Sequence, residues 1–249
     1  VPENISEEAV CLINPKRADC NYPCKDLSGA GVAFKLIMAL AKEFLNEKEC
    51  KKYIQESIDI AAIGTVADCM ILTGENRVIV QEGLKQIKNS RSRGIKKMIE
   101  DKIHEDLDTD IFSFLIGPKL NAAGRMANPY KAVNLILNQE ESVYTTLEEL
   151  EKLNEKRRKL SYKFFDEALT QINIEDNILL YHSKEIEHGI VGIVAGKLTE
   201  RFYKPSIVLI EEGDKLVASC RSPEYFNISE ILEENKHFFE AFGGHKQAA

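Results

Sequence analysis

Residues 141–171, ESVYTTLEELEKLNEKRRKLSYKFFDEALTQ, contain neither proline nor glycine and interleave acids with bases at helical spacing. A run of this kind predicts one long connecting helix, with the rest of the chain organised on either side of it. The two sides differ in pattern. Before it, GAGVAFKLIMALAKEFL (29–45), YIQESIDIAAIGTVAD (53–68) and GENRVIVQEGLKQIKNS (74–90) carry apolar residues at helical spacing, and the second is expected to end near Gly64. AVCLINP (9–15) is a short apolar run closed by Asn-Pro, which predicts the last strand of a sheet. After the long helix, NILLYH (177–182), PSIVLIEE (205–212) and KLVASCRS (215–222) have strand composition, with GIVGIVAGKLTERF (189–202) as a helix between the first two. The turn EEGDK lets the last two strands form a hairpin. The expected fold is therefore α/β in three parts: a mainly helical part with a sheet remnant over 1–140, the connecting helix over 141–171, and a small α/β domain over 172–249.

Composition narrows the function. The net charge of −7 argues against a protein that coats nucleic acid without specificity, yet it leaves room for a narrow basic channel. Two clusters keep that channel open, RSRGIKK at 91–97 and KRRK at 156–159; judged alone, each reads as a solvated helix face ahead of a phosphate track. No apolar run approaches the roughly 18–20 residues that cross a bilayer, so no membrane partner and a cytoplasmic location are expected. The six cysteines show no repeated pair spacing. Cys20 and Cys24 would make half a zinc site without a second half, and reduced thiols are the better account.

Several stretches carry chemistry. Asp68 follows a run of small and apolar residues, where a carboxylate must be capped, paired or bound to a metal if it is buried. Asn121 and Arg125 flank Ala-Ala-Gly four residues apart, which puts both on one side of a helical or turn segment; Arg suits bidentate phosphate recognition, and a structural surface arginine is the alternative. His188, Gly189 and Gly192 open a helix whose free amides and dipole suit an anion. Ser219 and Arg221 share one strand face, with Ser222 next to them. Gly243, Gly244 and His245 in FGGHKQAA are expected at another helix start. Phosphate is the shared preference of these elements.

GTVADCMILTGENR, GPKLNAAGRM, HGIVGIVAGKL, SCRS and FGGHKQAA occur in the order and approximate spacing found in the RecJ family of the DHH phosphoesterase superfamily. The resemblance extends to NPKRADCNYPCKDLSGAGVAFKL near the start. It implies that the helical part is the C-terminal part of a DHH domain and that 172–249 is a DHH-associated domain cut short at its end. It also implies a 5′→3′ exonuclease that uses Mn²⁺ or Mg²⁺ in a two-metal centre to release 5′-mononucleotides from single-stranded DNA during recombination and repair. Its partners would be single-stranded DNA with a 5′ end, together with single-strand-binding protein or a helicase.

Position by position, Asp68 resembles a metal-ligand aspartate and, with His245, the catalytic set. Asn121, Arg125, His188, Gly189, Gly192, Ser219, Arg221, Ser222, Gly243 and Gly244 resemble substrate-binding positions. The family's Asp-His-His triplet is not in this sequence, and none of the five histidines lies in one. The expectation is an interior piece of a longer enzyme with little or no activity of its own. The alternative is a RecJ-like scaffold or nucleic-acid-binding module of a replication complex that has lost its ligands. A phosphodiesterase for short oligonucleotides or cyclic dinucleotides fits NAAGR and the long helix less well.

Overall fold

The structure, a computed structural model, describes residues 9–249; the first eight residues, which the expected first part includes, lie outside the described residues. The chain forms two compact units, one of residues 1–123 with 129–151, the other of 124–128 with 152–249.

The first unit is helical among the described residues. Helix α1 (Gly29–Phe44) starts at Ser28, whose hydroxyl accepts from the Gly31 amide at 2.8 Å and lies 3.0 Å from the Thr65 hydroxyl. Thr65 donates in turn to the Ala61 carbonyl, so one buried chain of hydroxyls ties the start of α1 to α2 (Glu47–Ala67). Asn46 caps α2, and Glu47 and Glu49 sit in its first turn, where the helix dipole favours acids. Small residues bring the helices close. A Cβ on Gly64 would collide with Ala30 of α1, and one on Gly83 of α3 (Gly74–Gln86) would collide with Ala62. Helix α2 continues through Gly64 to Ala67 instead of stopping there, because Gly64 serves this contact and not a turn. The short α4 (Arg93–Met98) follows, and a π-helical stretch, Ile111–Ile116, leads directly into α5 (Gly117–Met126); α6 (Tyr130–Leu137) comes next.

The strand expected over 9–15 does not form. These residues are irregular and Val10 is fully exposed, since among the described residues no strand runs beside them to complete a ladder.

Helix α7 spans Ser142–Gln171. Its inward residues in the first unit are Val143, Leu147 and Leu150, and in the second Ser161, Phe164 and Ala168. In the second unit, strands β1 (Leu179–Ser183) and β2 (Ser206–Glu212) pair in parallel through α8 (His188–Phe202), and β3 (Lys215–Arg221) returns antiparallel beside β2. The hairpin turn uses Gly213 at φ 61°, a conformation that suits glycine. Phe164 and Ala168 of α7 close over Leu179, Tyr181, Val208 and Ile210 of the sheet together with Ile190, Val194 and Leu198 of α8. Helix α9 (Ile228–Glu234) follows the sheet. Among the described residues no helix is long and apolar enough to cross a membrane.

One buried charge is uncompensated in the first unit. Asp59 is fully enclosed on α2, and one of its carboxylate oxygens has no partner. Burial raises its pKa, opposed by the Ser90 hydroxyl and the Ile60 amide. Because the folded chain holds this proton more tightly than the unfolded chain, the group's stabilising contribution is present below the ordinary aspartate range. It is lost as pH rises through the raised value. Asp59→Asn should therefore remove this slope and stabilise the chain at neutral pH by about 1 kcal/mol. Thermal melts from pH 4 to 8 check it, and equal slopes for both proteins would refute it.

A candidate anion pocket in the second unit

Helix α8 begins at His188 with Glu187 as its cap, and Glu187 makes no side-chain capping bond. The Ile190 amide bonds the Glu187 carbonyl at 2.9 Å, and no side chain caps the two amides before it. Against this end lies Arg125 of α5, whose Nη1 donates to the Gly189 carbonyl at 3.1 Å. A Cβ on Gly189 would collide with the backbone oxygen of Arg125, so glycine is what permits the approach. The sequence suggested that Gly189 frees an amide for an anion; its structural duty is to let α5 touch α8.

From the other side comes Arg221 at the end of β3. Its Nη1 donates to the Ser219 hydroxyl at 3.0 Å and to the Cys220 carbonyl at 2.7 Å, which fixes the guanidinium. A Cβ on Gly192 would stand 2.8 Å from Arg221 Nη2 and 3.1 Å from Ser219 Oγ. Gly192 therefore keeps open the room that the guanidinium occupies. These parts enclose a cavity of about 370 Å³, lined by Arg125, His188, Gly189, Gly192, Ser219 and Arg221 among others, with no Asp or Glu side chain in the wall. Burial lowers the pKa of Arg221, and the charge of Arg125 adds to the effect. Two guanidiniums share a pocket with no acidic side chain, and the arrangement suits a phosphate or carboxylate of a ligand.

Six of the residues singled out from the sequence thus meet in one pocket, and the others lie elsewhere. Ser222 is buried on the opposite face of β3, where its hydroxyl donates to the Phe226 carbonyl at 2.8 Å. Gly243, Gly244 and His245 do not start a helix. The chain turns at His245, whose amide and carbonyl bond Ala248, and the returning backbone pairs with Cys220 and Ser222. The three residues are exposed, and none lines the pocket. Asn121 is exposed on the part of α5 that belongs to the first unit. Asp68 caps α2 at its C-terminal end through its backbone amide, and its side chain is exposed where burial was expected. Its carboxylate sits at the end of a helix that disfavours negative charge.

The described residues contain no group of three or more His, Cys, Asp or Glu side chains able to hold a metal ion. They supply single donors such as Asp68 and do not by themselves fit a metal centre.

The basic clusters separate as well. In 91–97, Arg91 pairs with Glu56, Arg93 with the Gln139 carbonyl and Lys97 with Glu100. In 156–159, Lys156 pairs with Glu187 and Lys159 with Glu155, while Arg157 has a buried Nε with no acceptor. Arg157 was not among the residues chosen from the sequence, where it was one cation in a charged run.

A sheet of this topology, covered by α7 and α8 and ending in the returning turn, is a DHH-associated domain: residues 175–249 match the DHHA1 domain family. Over nearly its whole length the chain is homologous to RecJ. It is 35% identical to the single-stranded-DNA-specific exonuclease RecJ of Bacillus subtilis over 246 residues, which are 96% of this chain and 30% of that protein. It is 33% identical to RecJ of Escherichia coli over 273 aligned positions, covering all of this chain and 47% of that protein. The crystal structure of RecJ from Thermus thermophilus in complex with Mn²⁺ superposes with a TM-score of 0.82 at 30% identity, over 92% of this chain and 34% of that one. The chain thus spans between about a third and a half of the relatives it matches.

The two pocket glycines should separate packing from binding. Gly189→Ala meets backbone and is expected to cost about 2 kcal/mol or more. Gly192→Ala meets only the side-chain ends of Arg221 and Ser219 and should leave the melting temperature unchanged or slightly higher, while weakening the binding of inorganic phosphate. Melts and phosphate titration of both variants check the contrast.

Proposed function

We propose that this chain is part of a nuclease acting on single-stranded DNA from its 5′ end, and that the pocket of Arg125, Ser219 and Arg221 receives the terminal 5′-phosphate. The observation that carries this reading is the convergence of Arg125 and Arg221 on a cavity without an acidic side chain, at the amide end of α8. A terminal phosphate bears more charge than an internal phosphodiester, so a site with two guanidiniums favours a strand end. Homology to the RecJ exonucleases supports the same reading.

Within it, Asp68 supplies one carboxylate to a Mn²⁺ or Mg²⁺ centre, the ions with which RecJ of Thermus thermophilus has been crystallised. His245, on its exposed turn with Gly243 and Gly244, contacts the substrate phosphate, and Asn121, which belongs to the first unit, is a further substrate contact. The chain's own contribution is to bind the strand end and orient it. Because its described residues hold no complete ligand set, it should release no mononucleotides by itself in Mn²⁺ or Mg²⁺. Release above background, abolished by Asp68→Asn, would overturn that expectation.

The binding claim is tested by fluorescence anisotropy in EDTA with a short single-stranded oligonucleotide, 5′-phosphorylated or 5′-hydroxyl, across a salt series. The phosphorylated strand should bind about tenfold more tightly, and Arg221→Ala should erase the difference. Equal binding of both strands by the unmodified chain would remove the 5′-phosphate assignment.

A further inference from the structure

The inward positions of α7 follow a strict alternation of four and three residues: 143, 147, 150, 154, 157, 161, 164, 168. Six of the eight are fully buried: Val143, Leu147, Leu150, Ser161, Phe164 and Ala168. A stripe of this spacing asks for apolar residues throughout. The two in the middle are Asn154 and Arg157, and each has a polar side-chain atom shielded from water without a hydrogen-bond partner, Oδ1 of Asn154 and Nε of Arg157. A bond between these two atoms would satisfy both, and none is made. Native structures leave few such groups unsatisfied, so a consecutive pair on one helix face needs a cause.

Its position supplies one. Lys156 reaches Glu187, the cap of α8, at 2.8 Å, which sets this turn of α7 beside the helix end that forms the anion pocket. Arg157 is also close enough to Arg125 for that charge to act on it: burial, then Arg125, then Arg158 lower its pKa. No carboxylate compensates Arg157, although the neighbouring Glu155 and Glu187 each hold a lysine. Arg157 does not line the pocket itself. It stands next to it.

We propose that Arg157 binds the phosphodiester adjacent to the pocketed terminal phosphate, so that the strand leaves the pocket along α7. This rests on the 5′-phosphate reading given above. A half-buried guanidinium without an acidic partner, flanked by a second arginine, is set for an anion that arrives from outside. Its place beside the pocket matches the next phosphate along the strand and not the first. Leucine at 157 would remove a half-buried charge from the stripe, so arginine there costs stability that binding recovers.

Anisotropy in EDTA with a 5′-phosphorylated oligonucleotide tests this, compared with the same strand carrying an uncharged methylphosphonate at its first internucleotide linkage. The unmodified chain should lose about tenfold in affinity on neutralisation of that linkage. Arg157→Gln should bind the charged strand about tenfold more weakly, show no further loss with the neutral linkage, and have a salt slope shallower by about 0.7. Arg157→Leu should lose the same affinity while melting at a higher temperature, a combination that damage to the fold would not produce. Arg221→Ala serves as the reference for the reading beneath. If it abolishes the 5′-phosphate preference while the neutral linkage costs the same in the unmodified chain and in Arg157→Gln, the pocket stands and the role of Arg157 falls. If the unmodified chain does not prefer a 5′-phosphate, both fall together.

Discussion

A single missing carbon holds the pocket together. At Gly189 the first turn of α8 lies so close to the backbone of Arg125 that any side chain would strike the Arg125 carbonyl. That contact joins residues 124–128 to the second unit, whose sheet and helices otherwise begin beyond residue 151. It also delivers the Arg125 guanidinium to the mouth of the cavity, where it bonds the Gly189 carbonyl. Met126, next in the chain, packs against the core around Phe164 and Ile190, so the arginine is carried on a segment anchored by burial. A second glycine, Gly192, one turn along the same helix face, preserves the space for Arg221. Binding geometry here is set by backbone approach, and the arginines follow from it.

The electrostatics of the pocket run against stability. Two guanidiniums are drawn together with no Asp or Glu side chain in the wall, and burial pushes Arg221 toward losing a proton it still holds at neutral pH. Salt bridges are abundant elsewhere on the surface: Lys119 with Glu151, Lys156 with Glu187, Lys163 with Glu167 and Glu185. Pairing is therefore freely available to this sequence, which carries an excess of acids. Arg125 and Arg221 at the pocket, and Arg157 beside it, are nonetheless left without an acidic side-chain partner, and an arriving anion recovers the cost.

Much of this was legible in the sequence, and the misses have physical causes. Helices α1, α2, α3, α7 and α8 and the three strands of the second unit follow from period and composition, because each buries one face against a neighbour close in sequence. The short α4, α6 and α9 carry too few turns for a period to show. Residues 9–15 have a strand's composition, but a strand exists only when another pairs with it, and composition does not encode the neighbour. Gly64 reads as a helix end in the sequence and is a helix contact in the fold; the two uses of glycine look alike until the partner, Ala30, is known. The same holds for Gly243 and Gly244, which shape a turn that returns the chain to β3 and not a helix start. Ser219 and Arg221 were found because alternation along a strand is local. Arg157 was hidden within a charged run, although the four-three spacing around it was already present in the letters.

Helix α7 shows why that last signal deserves weight. A helix that serves two units could be apolar along the whole of its inward stripe, and its end segments are. Val143, Leu147 and Leu150 are buried in the first unit, Phe164 and Ala168 in the second. Between them the stripe is polar at Asn154, Arg157 and Ser161, and the first two carry unpartnered polar atoms at the turn where Lys156 meets the cap of α8. Helical propensity does not require this, since arginine and leucine differ little in it. Packing does not favour it, because the polar atoms lack partners. What remains is the field of the neighbouring pocket: a cation at 157 adds to the positive potential around Arg125, and a leucine would not. The polar break in α7 is thus best understood as an extension of the anion pocket along the helix that borders it.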